Sequence, residues 1–221
     1  MKLLINALTK FTCGLLLVGL LLFLPAGTLR YTNGWLLVGL LFGPMLVAGF
    51  VMLFKFPEFL AKRLDVKEKQ SAQKGVIAFS GLMFVAGFVV AGLDFRFGWS
   101  NVPTWVIITA SVLFLFAYAL YAEVMRGNAY LSRTFKVEEG QKVVDTGLYG
   151  VVRHPMYAVT ILLFLMMPLV LGSWYALIPF AFYPVIIIVR LRDEEKLLTR
   201  ELPGYEAYRQ KVRYRLIPFI W

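Results

Sequence analysis

Six apolar runs, at about 11–29, 35–57, 75–97, 103–122, 156–171 and 174–189, divide this chain of 221 residues. Each is 16 to 23 residues long and nearly free of charge. A soluble core is built from amphipathic faces, whereas continuous apolar runs of this length satisfy their own backbone as helices and place side chains in lipid. The sequence therefore predicts an all-α integral membrane protein with about six transmembrane helices, the last two forming a helical hairpin followed by a cytoplasmic helical tail. The first run follows Lys2 and Lys10 with no small-residue cleavage site beyond Ala26-Gly27. It is read as a first span, with a removable signal peptide as the alternative. A length of 221 residues suits a single membrane domain, 1–221, with little room for a separate soluble one.

Charge placement sets the expected orientation. Lys2 and Lys10, six basic residues from Lys55 to Lys74, five from Arg126 to Arg153 and eight from Arg190 to Arg215 fall on one side of the spans. Only Arg30 and Arg96 fall on the other, so 21 of 23 basic residues share a face, which the positive-inside rule makes cytoplasmic, with both termini. The net charge of +10 then follows from topology and contact with anionic headgroups, and it calls for no nucleic-acid partner. Membrane lipids are the expected surroundings, and oligomeric state is left open. Cys13 and His154 are the sole residues of their types, so neither an internal disulfide nor a protein-held metal is expected.

Only Gly172-Ser173 separates the last two runs, whose arms are each about 24 Å at 1.5 Å per residue. Equal arms bring the residues before the first, Arg153, His154 and Pro155, beside those after the second, Arg190, Arg192, Asp193, Glu194 and Glu195. Pro155 suits the first turn of a helix and pushes His154 into an extended conformation. Amides left free at that helix start, with Arg153 adjacent, suit an anion, and Arg190 and Glu194 share a face at i, i+4. Plainer readings exist for each part. Arg153 and His154 alone read as headgroup anchors, Arg190 to Glu195 as a solvated helix face, and Tyr149, Tyr157, Tyr205 and Tyr208 as an interfacial aromatic belt. Their coincidence in one place favours a site.

The ordered set GLYGVVRHPMY (Gly147 to Tyr157), a hairpin, RLRDEEKLL (Arg190 to Leu198), PGYEAY (Pro203 to Tyr208) and RYRLIPF (Arg213 to Phe219) resembles the isoprenylcysteine carboxyl methyltransferase family. It is similar, more loosely, to the phospholipid N-methyltransferases. The resemblance covers roughly Asn128 to Trp221, and it departs at Leu148, where a proline is frequent, and at Ala158 or Val159, where a glycine is. It implies an integral membrane enzyme that binds S-adenosylmethionine without a Rossmann domain, through residues 123–221, while the four spans of 1–122 build the substrate side. Tyr149, Arg153, His154, Pro155, Tyr157, Glu195, Tyr205 and Tyr208 would then serve the cofactor, and Arg190 and Glu194 the reaction. Arg153 with the helix start would clamp the cofactor's carboxylate, a glutamate its ribose and the tyrosines its purine. A lipophilic or prenylated acceptor would arrive sideways from the bilayer. Arg190 would orient a carboxylate, or Glu194 would take the proton of an amine.

Two other classes compete. NADPH-dependent sterol reductases share a similar Arg-His-Pro motif and hairpin, but Glu194-Glu195 with the following Leu-Leu-x-Arg-Glu looks more like the methyltransferases. A transporter or structural membrane protein would give weight to Asp94 and Arg96, which read better as an interfacial anchor at the outer end of the third span.

Overall fold

The structure, a computed structural model, describes residues 2–64, 71–128, 130 and 140–221, with the backbone alone for 62, 63 and 71–74. Lys67, Lys69, Arg133 and Lys136, and the side chains of Lys62, Arg63 and Lys74, which entered the charge count, lie outside the described residues. Among the described residues the chain is helical: α1 (Lys2–Ala26), α2 (Thr32–Lys55), α3 (Pro57–Leu64), α4 (Ser71–Phe97), α5 (Thr104–Gly127), a single 3₁₀ turn (Gly147–Gly150), α6 (Pro155–Val170), α7 (Trp174–Phe180), α8 (Tyr183–Glu201) and α9 (Tyr205–Lys211).

Five helical stretches are long and apolar enough to cross a membrane: Lys2–Ala26, Thr32–Lys55, Gly75–Phe97, Thr104–Gly127 and Trp174–Glu201. The protein is thus a multi-pass membrane protein. The fifth run forms α6, whose 16 residues reach about 24 Å, short of the roughly 20 residues a full bilayer core requires. Two further boundaries differ from the sequence reading. α1 starts at Lys2 rather than near residue 11, because Asn6, Thr9 and Lys10 interrupt the hydropathy but not the helical backbone, and Lys10 Nζ donates to the carbonyl of Leu64 at the end of α3. The second hairpin arm runs 28 residues, well past 189, and breaks at Ala181-Phe182. Pro184, two residues into α8, has no N–H to give to the preceding turn, and this accounts for the break. α8 then continues unbroken from apolar Tyr183–Val189 into Arg190–Glu195, so the charged residues inherit the rigidity of a membrane helix.

Helices pack chiefly as α5 on α6, α1 on α4 and α4 on α7. Where α4 crosses α1, Gly92 lets the backbones meet: a Cβ there would lie 2.5 Å from the carbonyl oxygen of Leu22. Leu22, Ala91, Phe114, Met167 and Phe180 fill the shared core and are nearly inaccessible.

One end of the bundle is tied by polar contacts. Asp94, 2% exposed, accepts from the backbone N–H of Ser100 at 2.7 Å, from Ser100 Oγ at 2.6 Å and from Ser173 Oγ. Ser173 Oγ in turn accepts the N–H of Ala176 at the start of α7, at 2.9 Å. Tyr31 OH donates to the carbonyl of Leu171 at 2.7 Å beside Gly172, whose φ of +73° favours glycine and where an added Cβ would lie 2.6 Å from Asn33 Nδ2. Asp94 is therefore a buried tie between α4 and the hairpin turn, not an interfacial anchor, and its partners are serines rather than Arg96. Removing it strands three donors. Asp94→Ala is expected to cost about 1–3 kcal/mol, read as a lower unfolding midpoint in detergent, whereas Arg96→Ala, at an exposed residue, is expected to leave that midpoint nearly unchanged.

Candidate functional site

At the opposite end of the hairpin, α6 begins with Pro155 as its first residue and with His154 as its N-cap, non-helical at φ −127° and ψ 61° rather than fully extended as the following proline leads one to expect. The chain's last segment returns to this point. The N–H of Arg153 donates to the carbonyl of Tyr214 at 2.8 Å and that of His154 to Arg215 at 2.9 Å. The tail is thus paired along the two residues that introduce α6.

The side chains reinforce the pairing. Arg153, 7% exposed, donates through Nε to Glu195 Oε1 at 2.7 Å and through Nη1 to the carbonyls of Val212 and Arg213, both at 2.9 Å. Arg215 Nε donates to the other oxygen of Glu195 at 2.9 Å, and His154 Nε2 lies 3.3 Å from Oε1. The two hairpin arms therefore bring His154 and Glu195 together, 41 positions apart in sequence. By the family resemblance Arg153 is expected at the cofactor's carboxylate and Glu195 in its pocket. In the structure both are engaged with each other and with the tail, so their observed contacts tie three chain segments. Arg215, in the quoted tail motif but given no role from sequence, completes this tie. Only its charge pointed to it.

Beside the tie lies a cleft of about 110 Å³. Tyr149, Tyr157, Tyr205 and Tyr208 contribute to its wall, with His154, Arg153 and Glu194, while Glu195 and Arg190 do not line it. Asn128, Gln141 and Lys142 add polar groups that sequence reasoning missed, because Lys142 counted there only as a topological charge. α9 supplies two of the tyrosines and is held by its own small core of Leu202, Tyr205, Tyr208 and Val212 and by Lys211 to Asp145 at 2.6 Å. Tyr208 OH donates to the carbonyl of Tyr149 at 2.8 Å, and Tyr205 OH lies 3.4 Å from His154 Nε2. Burial first, then the charges of Glu195 and Glu194, push the Tyr205 hydroxyl far above its ordinary range, so it keeps its proton.

Glu194 differs from its neighbour. Its Oε2 is buried without a hydrogen-bond partner, and the His154 ring nitrogen Nδ1 stands 4.0 Å away. A carboxylate oxygen removed from water and left unpaired is costly unless a ligand supplies the missing donor. One turn back along α8, toward its apolar half, Arg190 Nε donates to Tyr157 OH at 3.1 Å, and the Tyr157 ring stacks at 5.8 Å on His154. Arg190 and Glu194 thus both act on the Tyr157 hydroxyl, and of the two only Glu194 lines the cleft, Arg190 being one turn nearer the apolar half of α8.

This constellation sits in the stretch that known proteins share. Residues 105–200 match the model of the Isoprenylcysteine carboxyl methyltransferase (ICMT) family, which is the resemblance carried by the Arg-His-Pro motif and the acidic pair. Over 96 residues the chain is 31% identical to a Bacillus subtilis (strain 168) protein described as uncharacterized protein YpbQ. The aligned region is 43% of this chain and 57% of that relative, so the chain spans little more than half the relative's length. Arg190, Glu194, Glu195 and the segment from Tyr149 to Tyr157 lie inside the family match, while Tyr205, Tyr208 and Arg215 lie beyond it.

Proposed function

We propose that this chain is an S-adenosylmethionine-dependent integral membrane methyltransferase acting on a lipophilic or prenylated acceptor, by carboxyl O-methylation of an isoprenylcysteine-like group. The observation that carries the reading is the unpaired, buried oxygen of Glu194, facing a tyrosine-walled cleft where two hairpin arms and the tail converge. The donor set suits the cofactor: a carboxylate acceptor for ribose hydroxyls or an ammonium group, Lys142 for a carboxylate, and aromatic faces for a purine. The cleft's 110 Å³ is below the roughly 300–1,000 Å³ of complete ligand sites, so the described residues would enclose only part of such a ligand.

When bound, the cofactor supplies a methyl group on a sulfonium cation. Among the chain's own groups, Glu194 and the tyrosines bind and orient, while the Arg153–Glu195–Arg215 tie fixes the distance between α6, α8 and the tail. Arg190, one turn nearer the apolar half of α8 than Glu194, would align an anionic acceptor arriving from the bilayer, and alignment with exclusion of water is the main demand of a methyl transfer in which opposite charges neutralise. The charge distribution supports placing this end, with both termini, in the cytoplasm. An amine acceptor, as in phospholipid N-methylation, is the second reading. What favours it is the same Glu194 oxygen, which is free to accept a proton.

Calorimetry on the purified protein in detergent tests the cofactor. S-adenosylmethionine is expected to bind and NADPH not, and Glu194→Gln is expected to weaken binding about tenfold while changing the unfolding midpoint little, since its buried Oε2 has no hydrogen-bond partner within the protein. Binding of NADPH alone would make the reductase reading correct.

A further inference from the structure

The residues after Arg215 form a closed turn with an apolar outer surface. The N–H groups of Leu216 and Ile217 both donate to the carbonyl of Trp221, at 2.9 and 3.0 Å, and those of Ile220 and Trp221 to the carbonyl of Ile217, at 3.2 and 3.1 Å. Arg215 lies over the Trp221 ring at 5.2 Å while its Nε holds Glu195, and Leu216 is buried in the same core as the membrane helices. The turn is therefore a rigid extension of the bundle. Ile217, Phe219 and Ile220 point away from it, 50%, 87% and 77% exposed, and Phe219 is held at φ +65°, a conformation that non-glycine residues rarely adopt.

We propose that Ile217, Phe219 and Ile220 form an apolar tip seated in the headgroup and upper acyl layer of the membrane, on the side where α6 begins. The level of the tip carries the argument. The segment leading into it, at Tyr214 and Arg215, is hydrogen-bonded to Arg153 and His154, the residues just before α6, and Val151 beside them is half exposed as well. On α8 the exposed Val185 and Val189 give way to Arg190, so the apolar layer ends at the same level on the second arm. An outward aromatic and two isoleucines at that level meet lipid, and the exposed Arg192 and Arg213 nearby complement anionic headgroups. The tip would thereby hold against the bilayer the segment whose carbonyls and Arg215 complete the tie at Glu195. The inference rests on the membrane position of α6 and α8 and not on the proposed chemistry.

Single cysteines introduced as Phe219→Cys and Ile220→Cys, with Glu206→Cys on exposed α9 as the aqueous reference, all in a Cys13→Ser background, test it. Each is labelled with an environment-sensitive fluorophore and reconstituted into vesicles of phosphatidylcholine and phosphatidylglycerol. Labels at 219 and 220 are expected to be quenched by doxyl groups on the lipid chains and several-fold less than the reference by iodide in the water. Iodide quenching equal to the reference overturns the proposal, and so does shielding from both quenchers, which contact with a second copy would give. Using two neighbouring positions keeps the test valid if one variant fails to fold.

Discussion

Glu195→Ala is expected to lower the stability of the protein by about 3–5 kcal/mol, the typical cost of removing one partner from a buried ion pair. The loss has a specific origin. Arg153 stays buried with its charge uncompensated, Arg215 loses its anchor, and the segment from Val212 to Arg215 loses its ion pair to α8. Because α9, which leads into that segment, supplies Tyr205 and Tyr208 to the cleft wall, cofactor binding falls with stability. Unfolding in detergent micelles followed by circular dichroism reads the first effect and calorimetry the second. Glu195→Ala with a wild-type midpoint and weakened binding would return this carboxylate to the pocket, which is where sequence reasoning had it.

The second large effect is kinetic. Arg190→Ala is expected to lower turnover on the order of 10²-fold, comparable to losing one oriented donor in an active site, while cofactor affinity stays within a few fold. The separation follows from geometry, since Arg190 donates to Tyr157 OH one turn nearer the apolar half of α8 than Glu194 and does not line the cleft. Arg190→Lys sharpens the result. It keeps the charge and loses the planar fork, so a carboxylate acceptor predicts a loss nearly as large as with alanine. Full activity in Arg190→Lys contradicts carboxylate alignment, and a loss in Glu194→Gln that eases as pH rises points to the amine acceptor.

Much of the site was legible because a hairpin with a two-residue turn has little freedom. Once residues 156–171 and 174–189 are read as antiparallel arms, His154 has to come near Glu195, and the 3.6-residue period places Glu194 on the face of Arg190 whatever surrounds them. The tie was not legible, because nothing in the local pattern of Arg213 to Arg215 says that this strand turns back to pair with Arg153. An arginine beside a helix start looks the same whether it waits for a ligand or holds two carbonyls. The same limit applied to Asp94, whose partner Ser173 lies 79 residues away and reaches it only when α4 and the hairpin turn meet. The break at Ala181-Phe182 had a visible signal in Pro179 and Pro184, but hydropathy stays high through both and hid it. Glu194 and Glu195, adjacent and chemically identical, take opposite roles through the 100° between successive helical positions: one carboxylate faces the arginines, the other the cleft.

The most direct test of the methyltransferase reading is transfer of a radiolabelled methyl group from S-adenosylmethionine by the purified protein in lipid vesicles, offered a prenylcysteine analogue or the vesicle lipids themselves. Label is expected in the organic phase with the prenylcysteine analogue, as a base-labile ester, with transfer falling on the order of 10²-fold in Arg190→Ala. A folded protein that binds the cofactor and moves no label to either acceptor, or moves it equally well in Arg190→Ala, would contradict the account.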